Sequence, residues 1–180
     1  NLDEVLRSLH ILNHEKGLRF SPRRVTVSTC GLPRGLQELG ESGLAFLAVS
    51  LHAPDQDLRA RIMPKAAHWP LDELVGALAN YPLKTREKIT LEYLLLGGVN
   101  DTPAHARALG KIVARIKAKL NLIAYNPSPG SAYVAPTPDA LLAFQKILWD
   151  KRITAILRKS KGQDINAACG QLRTASQHAR

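Results

Sequence analysis

Cysteine is scarce in this chain, with Cys30 and Cys169 the only two among 180 residues. So small a number excludes a disulfide framework and suits a reducing, cytoplasmic compartment. Acidic residues are also few: 15 Asp and Glu stand against 25 Lys and Arg, a formal charge of +10. An excess of that size points to a nucleic acid or other polyanion as partner. Long hydrophobic runs are missing, so no stretch approaches the length of a membrane span, and no signal peptide is visible. Neither an internal repeat nor a low-complexity tract interrupts the plan. The first residue is Asn1 rather than Met, from which a piece of something longer is expected.

What is present is a hydrophobic fraction of 45%, ordinary for a globular protein and enough for one substantial core. Leu2, Val5, Leu6, Leu9 and Leu12 recur at helical spacing behind Asp3 and Glu4, which predicts an amphipathic helix closed by Gly17. Arg23 to Thr29 reads as a short β-branched strand, and Leu44 to His52 is apolar on both faces until its end, the mark of a buried parallel strand. A short helix around Leu36 to Leu39 joins them. Further helices are expected over Asp55 to Ile62 and Leu71 to Leu78, before a third strand, Lys88 to Leu96, closed by Gly97-Gly98. Asp101-Thr102-Pro103 caps a helix from about Ala104 to Ala118, a fourth strand covers Leu120 to Tyr125, and a Pro-rich loop runs from Asn126 to Pro138. Thr137-Pro138-Asp139 caps the next helix, which reaches Trp149, and Arg152 to Leu157 makes a fifth strand.

Strands that alternate with helices at this spacing predict an α/β fold with a parallel sheet or an incomplete (β/α) barrel. In such folds ligands bind beyond the carboxyl ends of the strands. Three of the predicted strands end in polar groups: Ser28-Thr29, Ser50 with His52, and Asn126. These ends are expected to gather around one open cavity, although Ser and Thr also serve as turn residues and a single His is often structural.

The last stretch has a different character. Arg158-Lys159-Ser160-Lys161 is a basic cluster, and Cys169 follows it flanked by Ala167, Ala168 and Gly170. Cations lower a thiol pKa and attract phosphate, and small neighbours let another molecule approach the sulfur. A buried structural thiol and a solvated turn are the alternatives.

The residues Arg24-Val25-Thr26-Val27-Ser28-Thr29, Ser50-Leu51-His52-Ala53-Pro54, Asn121-Leu122-Ile123 with Asn126-Pro127, and Ala167-Ala168-Cys169-Gly170-Gln171-Leu172 together resemble the radical S-adenosylmethionine (SAM) RNA methyltransferases of the RlmN family. The resemblance implies the carboxyl-terminal part of a radical SAM barrel, with residues 1–158 forming the partial barrel and 159–180 a loop and tail. It implies methylation of C2 of adenine in 23S rRNA and tRNA, by a monomer with no membrane association. Ser28, Ser50, Leu51, His52 and Asn126 match SAM-contacting positions, and Cys169 matches the cysteine that is methylated and then delivers the carbon. Arg158, Lys159 and Lys161 are expected to meet RNA phosphates. In the family a second SAM is cleaved at a [4Fe-4S] cluster, and the resulting radical activates the S-methyl group. Adenine C2 is electron-poor, so direct attack on a SAM methyl group is closed to it.

The family's C-x3-C-x2-C cluster motif is absent from this sequence, and two distant cysteines cannot replace it. No metal site is therefore expected in this chain, and the cluster belongs to a complete protein whose cluster cysteines lie upstream. The isolated chain is expected to be inactive. Cys30 receives no role. Two other readings stand beside this one: the related methyltransferase acting at adenine C8, and a non-catalytic basic RNA-binding module.

Overall fold

In the computed structural model, residues 1–127 and 130–158 are described. Five strands, β1 (Thr26–Thr29), β2 (Phe46–Ser50), β3 (Ile89–Leu95), β4 (Ala118–Ala124) and β5 (Ala155–Arg158), form one sheet in the order β1-β2-β3-β4-β5. Every pairing is parallel. Helices α1 (Leu2–Asn13), α2 (Pro33–Ser42), α3 (Gln56–Ile62), α4 (Leu71–Ala79), α5 (Pro103–Val113) and α6 (Pro138–Asp150) precede or connect them. Because strand order follows sequence order without a reversal, and crossovers share one hand, the connecting helices fall on the same face of the sheet. This is the plan of a barrel segment, and the partial barrel expected from the sequence is what forms.

The covered face holds the core. Leu47, Val49 and Leu51 from the β2 segment, Ile89, Leu91, Tyr93 and Leu95 from β3, and Leu120 and Leu122 from β4 meet Leu36, Leu74, Leu78, Leu109, Phe144 and Leu148 from the helices. Alternation within β3 is strict, with Ile89, Leu91, Tyr93 and Leu95 buried and Thr90, Glu92 and Leu94 less so. The pleat then sends Ser28, Ser50, Thr90, Glu92, Leu94, Asn121 and Arg158 to the opposite face, which none of the connecting helices among the described residues covers. It is the polar lining of a half-barrel.

Several boundaries differ from the sequence reading. The α5 helix ends at Val113 rather than Ala118, because Lys117 and its neighbours are drawn into the sheet. Ile89 N–H donates to the Lys117 carbonyl, and the Lys117 ammonium donates to the carbonyls of Lys84 and Thr85. Parallel pairing to the start of β3 outweighs the helical propensity of this Ala- and Lys-rich stretch. Arg152 belongs to a helix end and not to a strand. Its φ of 59° is left-handed, and Ile153 N–H returns to the Leu148 carbonyl, as helices often terminate. Pro22–Arg24 forms a short 3-10 turn, so β1 begins at Thr26.

Candidate SAM-binding rim

All five strands run the same way, so their carboxyl ends share one rim. Ser28 and Ser50 stand near the ends of the adjacent strands β1 and β2, while Asn126 lies just past β4, with β3 between. The expectation that these ends sit side by side is met for the first two. Asn126 is one strand further along.

After Ser28 the chain turns sharply. Gly31 N–H donates to Thr29 Oγ1 at 3.1 Å, and Gly31 has a φ of 80°. A Cβ there would lie 2.5 Å from Leu74 Cδ1, so only glycine lets the turn pack this closely on α4. The Cys30 carbonyl is then held from beneath by Arg59, a side chain with no exposed surface. Its guanidinium donates to the carbonyls of Ala66 at 2.8 Å, Trp69 at 3.0 Å and Cys30 at 3.2 Å. One planar fork thus joins the end of β1 to the turn beyond α3.

The end of β2 is bent differently. Leu51 N–H and His52 N–H both donate to the Glu92 carbonyl, and Ala53 N–H donates to the Leu51 carbonyl at 2.8 Å, a three-residue turn centred on His52. The φ of His52 is 56°, a left-handed conformation that costs a non-glycine residue about 1 kcal/mol. Leu51 is fully buried on the helix-covered face, so only its main chain belongs to the rim. The His52 Nδ1 accepts from Leu94 N–H at 3.1 Å, which places the ring proton on Nε2. Burial pushes the imidazole pKa down to about 4, helped by the charge of Arg59 and opposed by the Glu92 carbonyl.

Beside His52 the rim opens into a cavity of about 230 Å³ lined by His52, Ile62, Leu94, Leu96, Tyr125 and Tyr133. Its wall is almost wholly apolar and aromatic, with the imidazole as a polar handle, the usual make-up of a small-molecule site. The Pro-rich loop closes one side. Tyr125 donates its hydroxyl proton to Ser131 Oγ at 2.6 Å, Gly97 N–H donates to the Val134 carbonyl at 2.9 Å, and the Tyr125 and Tyr133 rings meet edge to face.

Of the residues singled out from sequence, His52 lines this cavity, while Ser28, Ser50 and Asn126 lie at or just past the ends of β1, β2 and β4 and are not among the residues that line it. Arg158 is the last residue of β5, on the uncovered face, with Nη1 4.0 Å from Glu92 Oε1. Lys159, Lys161 and Cys169 lie outside the described residues. Sequence reasoning passed over Arg59, Asn100, Leu94, Leu96 and the two tyrosines. Charged residues inside strands, Glu92 in β3 and Lys119 in β4, were signals that could have marked the uncovered face.

The low His52 pKa has a measurable consequence. In the unfolded chain the ring titrates near 6.5 and in the fold near 4, so between those values the unfolded state holds more protons. Stability from this group is complete above pH 6.5 and is lost as pH falls through 4, by about 3 kcal/mol in all. Urea denaturation at pH 7 and pH 4.5 should show a smaller acid loss in His52→Gln than in the wild type; equal losses would remove His52 from the acid response.

Comparison with known proteins gives this geometry a context. No family model matches the sequence. A crystal structure of a radical SAM methyltransferase from Sphaerobacter thermophilus superposes with a TM-score of 0.87 at 39% identity, over 94% of this chain and 50% of that one. A domain of a pyruvate-formate lyase-activating enzyme from Bacteroides vulgatus shares the fold, with a TM-score of 0.67 at 13% identity over 88% of this chain and 91% of that one. The half-barrel with its polar rim is therefore of the radical SAM methyltransferase type. Among curated proteins, the dual-specificity RNA methyltransferase RlmN of Nitratidesulfovibrio vulgaris (strain DP4) is 70% identical over 173 residues, 96% of this chain and 48% of its own length. That of Geobacter sulfurreducens is 49% identical, again over 96% of this chain and 48% of its own. Over the stretch they share, the chain is closely similar to the RlmN RNA methyltransferases. It spans about half the length of the curated relatives it matches.

Radical SAM chemistry involves SAM and an iron-sulfur cluster, and the chain's residues fit the two unequally. The rim, with its apolar cavity beside hydroxyl, imidazole and carboxamide groups, fits an adenosyl ligand. For the cluster the fit fails: Cys30 is the one thiol among the described residues, and no group of three His, Cys, Asp or Glu side chains there could hold a metal. Nor is any helix among the described residues long and apolar enough to cross a membrane.

Proposed function

We propose that this chain supplies the SAM-binding rim and the methyl-carrying cysteine of an RNA methyltransferase that modifies C2 of adenine in 23S rRNA and tRNA. The observation that carries the reading is the 70% identity over 96% of the chain to a dual-specificity RNA methyltransferase. The rim supports it independently, since a cavity with the make-up of a small-molecule site opens beside the polar strand ends. Ser28, Ser50, His52 and Asn126 hold the polar parts of SAM, and Leu94, Leu96 and Tyr125 receive its adenine. When bound, SAM supplies the methyl group and the means to activate it. His52 is neutral near pH 7 and offers its Nε2 proton as a donor without adding charge beside the sulfonium. Cys169 takes the methyl on sulfur and presents it to the adenine of the RNA. The boundary between barrel and tail falls at residues 158 and 159 in this reading, and the +10 charge attracts the RNA phosphates.

A hybrid tests the proposal. With this chain in place of the matching stretch of the Nitratidesulfovibrio protein, anaerobic reaction with 23S rRNA and tRNA should yield 2-methyladenine by mass spectrometry of the digested RNA. Methylation at C8, or none despite bound SAM and cluster, would overturn it.

Arg158, Lys159 and Lys161 carry a separate expectation. Changing all three to Ala in the hybrid removes up to three phosphate contacts, so the slope of log affinity against log salt should flatten by roughly 2 to 3. An unaltered slope would make the cluster a solvated turn.

A further inference from the structure

Asn100 has no exposed surface, and its carboxamide bonds to main chain alone. One Nδ2 donates to the His52 carbonyl at 2.9 Å and to the Leu94 carbonyl at 2.7 Å, while Oδ1 accepts from Leu96 N–H at 2.7 Å. Its own carbonyl accepts the Tyr93 hydroxyl at 3.0 Å. The place of these bonds is informative. The ladder between β2 and β3 stops at Ser50↔Glu92, and beyond it the two chains part to open the rim. Into that fork goes the Asn100 side chain, which does for the ends of both strands what the next peptide of a ladder would have done.

We propose that Asn100 is a positioning residue for the reaction: by holding the His52 carbonyl against the end of β3, it fixes the left-handed backbone of His52 and thereby aims the imidazole at the cavity. Its functional consequence rests on the reading of the rim as the SAM site. Without the clamp only the Ala53 N–H bond to the Leu51 carbonyl is left on the carbonyl side of His52 to oppose its return to ordinary negative φ. Such a return carries the ring away from Leu94 N–H, the group that orients Nδ1. Other residues cannot replace asparagine. Aspartate lacks the two N–H donors and sets a carboxylate against two carbonyl oxygens. Leucine leaves three buried main-chain groups unsatisfied.

Two sets of measurements decide the matter. In the 180-residue chain, the ¹⁵N resonances of His52 at pH 7 should report a single Nε2–H tautomer, with a slowly exchanging Leu94 amide. In Asn100→Ala the tautomers should mix and the amide should exchange faster. In the hybrid, Asn100→Ala and His52→Ala should each weaken SAM binding at least tenfold, and the double variant should bind no more weakly than His52→Ala alone. Unchanged His52 resonances with only a lower Tm would reduce Asn100 to a structural residue and overturn the proposal, as would additive losses in the double variant. Asn100→Ser, which keeps a hydrogen-bonding side chain, should show the same changes at smaller size and serves if Asn100→Ala does not fold. A wild-type hybrid that bound no SAM would sink the reading of the rim, and the His52 resonances would still decide whether the clamp exists.

Discussion

Cys169→Ser is expected to abolish methyl transfer to RNA while SAM binding persists. The sulfur has two tasks in sequence under the proposed function. It attacks a methyl group as a nucleophile, which needs thiolate character, and it then holds that methyl where an adenine can reach it. Lys159 and Lys161, eight to ten positions before it in the sequence, are of the charge that favours a thiolate. Serine is nearly isosteric, yet its hydroxyl is far less acidic and is a poor nucleophile without a dedicated base. Loss of a reacting nucleophile commonly costs a factor on the order of a thousand or more in rate. Intact-peptide mass spectrometry of the hybrid should find the segment containing Cys169 heavier by one methyl in the wild type and unmodified in Cys169→Ser. Substantial activity in the variant would end the methyl-carrier role.

Arg59→Met should produce the largest loss of stability. Three main-chain carbonyls depend on this guanidinium, and each buried acceptor left without a donor costs about 1 to 3 kcal/mol. Two effects act the other way: the charge no longer has to be kept from water, and the buried Nε, which has no hydrogen-bond partner, disappears. The carbonyls outnumber these gains, so a net loss of about 2 to 4 kcal/mol is expected. Arg59→Lys should recover little of it, because a compact ammonium cannot reproduce a planar fork spanning Cys30, Ala66 and Trp69. Urea denaturation measures both variants. A change below about 0.5 kcal/mol in Arg59→Met, the range of an ordinary surface substitution, would mean that the carbonyls find other partners.

The strands and most helices could be read from the chain because local chemistry determines them. Leu47, Ala48 and Val49 are buried in succession, as a parallel strand between neighbours requires. Thr102 and Thr137 cap α5 and α6, with Pro at the first helical position in each. Tertiary pairing decided what was missed. Lys117 to Lys119 would suit a helix if nothing lay beside them, and the start of β3 does. Asn100 and Arg59 were illegible for a stronger reason. Their partners are main-chain groups of residues such as His52, 48 positions away, and Cys30, 29 positions away. A periodicity reports which face a residue takes, and says nothing of a carbonyl on another strand. At the rim, the placement of Ser28, Ser50 and His52 at strand ends was legible in the sequence, whereas Leu94, Leu96, Tyr125 and Tyr133, which line the cavity with His52, looked like ordinary core and loop residues.

The strand order also bears on how the chain comes to be folded. In β1-β2-β3-β4-β5 each strand joins the one made just before it, so no gap has to be kept open for a later segment to enter. A growing sheet of this kind presents a single advancing edge, and each completed strand and helix unit becomes the template for the next. During synthesis from the amino terminus, β1 and β2 can pair while β4 is still unmade. Among the described strands, the last pairing to form joins β4 to β5.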